Sequence, residues 1–168
     1  NVIDWHLVDT IEILTASALV NSSEVGLPAS PTEIENPFLA TAIDYWEERL
    51  NAGYKITAVS GSDSKGGEST PSDIARKGYG NSATLVYAQN LSRTAIKAGI
   101  QAGRVYVKPR GRASLPSTVD LTATGVDGAS IGQTAMMGGI LHSNSAILHI
   151  NIQNGMGQTL NIVKNGTI

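Results

Sequence analysis

Between residues 8 and 108 the hydrophobic period of the chain switches repeatedly between that of a strand and that of a helix. This restricts the fold to short strands alternating with helices. Val8-Asp9-Thr10-Ile11-Glu12-Ile13-Leu14 alternates and is rich in β-branched residues, as a strand requires. Residues 20–37 carry Pro28, Pro31 and Pro37 among polar side chains and read as a loop. From Phe38 to Leu50, the residues Leu39, Ile43, Trp46 and Leu50 recur at spacings of four, three and four. That spacing predicts a helix with one apolar face, closed by Asn51-Ala52-Gly53 with the glycine free to take a left-handed cap. Tyr54 to Val59 predicts a second strand and Thr84 to Ala88 a third. Asn90 or Ser92 then caps a helix bearing Leu91, Ala95, Ala98 and Ala102 on one face, and Val105-Tyr106-Val107 forms a further strand.

After Pro109 the texture changes. Residues 111–168 hold only four formal charges: Arg112, Asp120, Asp127 and Lys164. Alternation marks Val119 to Ala123, Ile147 to Ile152 and Leu160 to Val163. Asn154-Gly155 and Asn165-Gly166 are turn pairs that suit hairpins. The tail is therefore expected to be all β, a small antiparallel sandwich-like unit, with the boundary near residue 110.

A chain of 168 residues holds one domain or two small ones. Without cysteine it has no disulfides, no thiolate metal ligands and no cysteine nucleophile. A net charge of −2 gives no nucleic-acid footprint, and no apolar run is long enough to span a bilayer. The charge is unevenly spread. Residues 1–52 carry nine Asp or Glu and one Arg, whereas residues 53–110 carry three Asp or Glu and nine Lys or Arg. Two solvated faces that neutralise each other explain this; a cationic mouth for an anionic small molecule, drawing on Arg76, Lys77 and Arg104, is the functional alternative.

Chemistry concentrates at Gly61-Ser62-Asp63-Ser64-Lys65, just past the end of the second strand. Strand ends are where α/β folds gather functional side chains. An aspartate in a Gly/Ser turn also serves as a plain Asx-turn. Ser62 and Lys65 have the spacing of a Ser-x-x-Lys nucleophile, but Gly66-Gly67 oppose the helix that chemistry needs.

The run Ala52-Gly53-Tyr54 to Ala58-Val59-Ser60-Gly61-Ser62-Asp63-Ser64 resembles the last metal-binding motif of the PHP (polymerase and histidinol phosphatase) metallohydrolases, in particular the CehA/McbA-type branch. Two further blocks agree in order and spacing: Asp9-x-Ile11-Glu12-Ile13 before a Trp-bearing helix, and Thr84-x-Val86-Tyr87-Ala88 through Gly103-Arg104-Val105-Tyr106-Val107. The resemblance implies a fold class of α/β type: the C-terminal part of a distorted β/α barrel over residues 1–110, followed by a small all-β domain over 111–168. It implies a hydrolase of phosphoesterase type, using zinc, manganese or iron to activate water. It also implies a larger, exported bacterial parent, periplasmic or extracellular, of which this chain is a processed or excised piece. Partners would then be the rest of that parent or a second copy.

The departures bear on catalysis. The family motif continues with a histidine ligand where this chain has Lys65, and its early His-x-His pair has no counterpart among His6, His142 and His149. Thr15 stands where the family has an asparagine after the Glu12 strand. A lysine ammonium has no free lone pair at neutral pH. Asp63 remains as the carried-over ligand candidate, and His6 lies near the position of a family metal-site histidine. Ser62, Ser64 and Glu12 flank the site. The expectation is a degenerate site that holds no metal tightly in this chain, within either a hydrolase or a non-catalytic binding or structural module.

Overall fold

The computed structural model describes residues 3–30, 32–66, 78–109 and 117–167. The chain divides into two compact units, one of Asn1–Leu85 with Tyr106–Ser114 and Ile162–Ile168, the other of Val86–Val105 with Leu115–Asn161.

The first unit opens with a 3-10 turn, Trp5–Leu7, whose first turn is capped by Asp4 accepting from the His6 amide. Strand β1 follows at Thr10–Thr15. Two short strands, β2 (Leu19–Val20) and β3 (Ile34–Glu35), pair antiparallel around a 3-10 turn at Ser22–Val25. The proline-rich stretch expected to be a loop thus closes on itself through a two-residue ladder.

Helix α1 spans Pro37–Asn51. Its start is set by Asn36, whose side chain accepts from the Phe38 amide at 3.1 Å, with Pro37 at the first helical position where it needs no N–H partner. Its end is set by Gly53 at φ 90°, a left-handed conformation that glycine adopts without Cβ strain. Leu39, Ile43 and Trp46 are half-buried as the spacing predicts, whereas Leu50 is exposed. α1 packs on β1, and Trp46 Nε1 donates to the Ile56 carbonyl at 2.8 Å. Strand β4, Thr57–Gly61, lies parallel to β1, and α1 is part of the crossover between them. The buried core of Leu14, Val20, Ile56 and Ala58 belongs to this unit.

Strands β5 (Ala83–Val86) and β6 (Val105–Lys108) form another two-stranded sheet, joined through α2 at Arg93–Gln101. Ser92 caps α2 by accepting from the Ala95 amide at 3.2 Å. Gly99 on α2 is required by close approach: a Cβ there would stand 2.7 Å from both the Tyr87 carbonyl and Val86 Cγ1. β4 and β5 belong to different sheets.

The second unit holds a three-stranded antiparallel sheet in the order β8-β7-β9, with β7 at Thr118–Gly125, β8 at Thr134–Met136 and β9 at Ala146–Gln153. Tyr87 Oη donates to the Val119 carbonyl at 2.6 Å; burial, then the Asp120 charge, push its phenol up from its ordinary value. A 3-10 turn at Gly128–Ser130 is the only helical element among the described residues after 117.

The expected fold was only the last part of a barrel, and the sheets β1-β4, β2-β3 and β5-β6 form no closed barrel among the described residues. Two expectations about strands are corrected. The second strand begins at Thr57 rather than Tyr54. Leu160 to Val163 is not a strand; the Asn165-Gly166 pair, both at positive φ, closes only a bridge between Lys164 and Thr167. What stands is a mixed α/β chain with small sheets.

Candidate functional site at the ends of β1 and β4

The two parallel strands end side by side. Thr15 is registered with Gly61, and the Ala16 amide donates to the Gly61 carbonyl at 2.9 Å. Immediately beyond, both chains turn through left-handed backbone, Ala16 at φ 66° and Asp63 at φ 49°. Such conformations are costly for residues with a Cβ, least so for aspartate, and hold only where neighbours fix them.

The neighbours are polar groups, the buried Ser82 and Asn36 and the half-buried Thr84. Ser82 donates to the Gly61 carbonyl at 2.8 Å, and its side chain is almost fully enclosed. Thr84 Oγ1 accepts from the Ser60 amide at 2.8 Å and donates to the Ser60 carbonyl at 3.0 Å. It therefore satisfies both backbone groups of Ser60 as a neighbouring strand would. Asn36 Nδ2 donates to the Thr15 and Ser17 carbonyls at 3.1 and 3.2 Å, so one side chain both caps α1 and holds the end of β1.

Above this base the charged groups face solvent. Lys65 Nζ donates to Asp63 Oδ1, with side-chain exposures of 80% and 48%. Ser62 Oγ accepts from the Ser64 amide and Ser64 Oγ from the Gly66 amide, both at 3.4 Å, which stiffens the turn locally. Glu12 reaches the same strand ends. A shift of register between Glu12 and Leu14 bulges β1, and bulges re-aim side chains beside functional positions. Glu12 Oε2 accepts from Thr15 Oγ1 at 2.9 Å, while Oε1 lies 3.2 Å from where a Cβ on Gly61 would stand. Thr15 thus engages Glu12 at the end of its own strand.

The other sequence candidates lie elsewhere. His6 stacks edge-on against Tyr54, with ring centroids 5.0 Å apart. Arg104 links α2 to β6, its amide donating to the Gly99 carbonyl and its carbonyl accepting from the Tyr87 amide. Arg76 and Lys77 lie outside the described residues. No group of three or more His, Asp or Glu placed to hold a metal ion occurs among the described residues. One carboxylate is engaged by an ammonium and the other by a hydroxyl, and no imidazole joins them.

Sequence reasoning missed a second polar cluster. Asp127 Oδ1 accepts from Ser143 at 2.6 Å and from Ser130 at 2.9 Å, with the two serine oxygens 2.7 Å apart. The Ser143 and Ser130 hydroxyls hold the Asp127 carboxyl below the usual carboxylate range. The available signal was that Asp127 is one of few charges in the tail, beside Gly128-Ala129-Ser130.

No protein-family model matches the chain, and no curated protein and no solved structure matches it.

Proposed function

We propose that this chain is the C-terminal portion of a PHP-like, phosphoesterase-type hydrolase fold whose metal turn is degenerate, so that the chain by itself serves as a structural or binding module. In that reading residues 1–110 would be the last part of a barrel, residues 111–168 a small sandwich-like β domain that follows it in sequence, and any substrate would be a small anion. The carrying observation is the contact of the Lys65 ammonium with Asp63 at the end of a strand parallel to the Glu12 strand. A tethered cation sits where the family's motif calls for a ligand to a free one. The charge it supplies keeps the turn's carboxylate partnered but gives no Lewis acid.

Calorimetric titration with manganese or zinc tests this. The wild-type chain is expected to show no stoichiometric binding tighter than micromolar, and Lys65→His to gain zinc affinity. Tight stoichiometric binding by the wild type, abolished by Asp63→Ala, would overturn the proposal. Because the pair is exposed, removing Lys65 should alter stability by no more than about 1 kcal/mol, so lost folding will not confuse the result.

A further inference from the structure

The chain contains two asparagine–glycine pairs, Asn154-Gly155 and Asn165-Gly166, and both asparagines are exposed. Such a pair carries its own reaction. The glycine amide nitrogen, after giving its proton to solvent, attacks the asparagine side-chain carbon Cγ. The N–Cγ bond forms, the Cγ–Nδ2 bond breaks, and Nδ2 takes a proton from solvent and leaves as ammonia. Water then opens the resulting cyclic imide at either carbonyl, leaving an aspartyl or an isoaspartyl residue. Glycine favours the attack because no Cβ shields its nitrogen, and this route is one reason that asparagine is thermolabile in proteins.

The two pairs are held differently. Asn165 and Gly166, at φ 52° and 76°, are the central residues of a turn that Lys164 and Thr167 close with two backbone bonds, of 2.7 and 3.1 Å. This is the tight turn that asparagine–glycine fits best. Glu47 also stands over it, with Oε2 3.1 Å from where a Cβ on Gly166 would lie. A carboxylate there opposes the amide anion that has to form on Gly166.

Asn154 lies just past the end of β9 at φ 57°, and no pair of backbone bonds closes across it and Gly155. Its carbonyl accepts from Ser117 at 3.0 Å. The one carboxylate on the three strands, Asp120, is registered opposite Asn151, roughly 10 Å back along the ladder. At that distance solvent ions screen its charge. The glycine is nevertheless required, because a Cβ on Gly155 would stand 2.6 Å from Ile152 Cγ2. The packing of this turn therefore keeps the reactive pair in place.

We propose that Asn154-Gly155 is a built-in deamidation site, and that folding protects Asn165-Gly166 from the same reaction. The product places a carboxylate at the end of β9, in a stretch that has no Asp or Glu after Asp127. In the isoaspartyl form the backbone runs through Cβ and Cγ. One methylene is thereby added beside the last rung of the β7–β9 ladder, Thr118 with Gln153.

Ageing the chain at mildly alkaline pH, followed by peptide mapping with mass spectrometry, tests this. In the folded chain, position 154 should convert several-fold faster than position 165. In urea the two rates should converge, because the difference comes from the fold and not from the dipeptide. Asn154→Gln should abolish the fast conversion, since the longer side chain closes its ring far more slowly. Equal rates in the folded chain, faster conversion at position 165, or a ratio that persists unchanged in urea would each overturn the proposal.

Discussion

The two units reach order by different means. The first buries Leu14, Val20, Ile56 and Ala58 within and between its strands, with Leu14 only 1% exposed. The sheet of β7, β8 and β9 places no large apolar side chain in a fully buried position; its enclosed strand residue is Gly125, and Ile147, Leu148 and Ile152 lie open. Its definition comes from the backbone ladder along β7 and β9 and from hydrogen-bonded polar clips. A sheet needs a covered hydrophobic face for independent stability. The contrast therefore teaches where each unit is vulnerable: the first to cavities, the second to loss of hydrogen bonds.

Shortening one leucine in each unit should have very different costs. Leu14→Ala leaves a cavity on the β1 strand and should cost about 2–5 kcal/mol. Leu148→Ala removes a side chain that already meets water and should cost less than about 1 kcal/mol. Chemical denaturation of the two variants decides it; equal costs would show that the β7–β9 sheet has an apolar core after all.

A second test stays in the first unit and asks how far its polar groups matter beside its core. Asn36→Ala removes the α1 cap and strips the donor from the Thr15 and Ser17 carbonyls. The expected loss is about 2 kcal/mol, from roughly 1 kcal/mol for the cap and a comparable amount for stranded buried acceptors. Asn36→Asp should restore the cap, since its carboxylate still accepts from Phe38, but not the two donor bonds. A cost for Asn36→Asp equal to that of Asn36→Ala would mean the two carbonyl bonds carry the whole effect.

Much of this architecture was legible from period alone. α1 and α2 follow from apolar spacing with Asn36 and Ser92 as caps, and β1, β7 and β9 follow from alternation. What was not legible depends on partners distant in sequence. Leu160 to Val163 alternates as a strand does, yet none of these residues joins a ladder, and all four are exposed. Alternation marks a chain able to pair, not one that finds a neighbour. Conversely, Leu19-Val20 and Ile34-Glu35 are too short to show a period, and they pair because the intervening segment folds back. In the candidate site the turn itself was legible. The engagement of Glu12 by Thr15 was not, because it depends on a β1 bulge that no local pattern announces. The Asp127 cluster was hidden for a related reason: Ser143 comes from a separate segment of the chain.

That cluster gives the smallest and most selective test of the comparison. Asp127 ties the 3-10 turn at Gly128–Ser130 to the segment before β9 through Ser143. Its pKa is lowered in the folded chain, chiefly by the Ser143 and Ser130 hydroxyls. A group with a depressed folded pKa contributes stability above its unfolded pKa and loses that contribution as pH falls through the folded value. The unfolded value for aspartate lies near 3.9. Stability of the second unit should therefore show an Asp127-dependent decline that begins as pH drops toward about 4 and completes below the folded pKa. Asp127→Asn keeps the shape but not the charge. It should be less stable than the wild type at neutral pH, and the difference should shrink steadily on acidification. Hydrogen exchange at the Ser130 amide, which donates to the Asp127 carbonyl, reports the clip locally. A wild type and variant separated by the same margin at every pH would assign the clip to hydrogen-bond geometry alone, and the second unit would then share the pH-independent character of the Leu14 core.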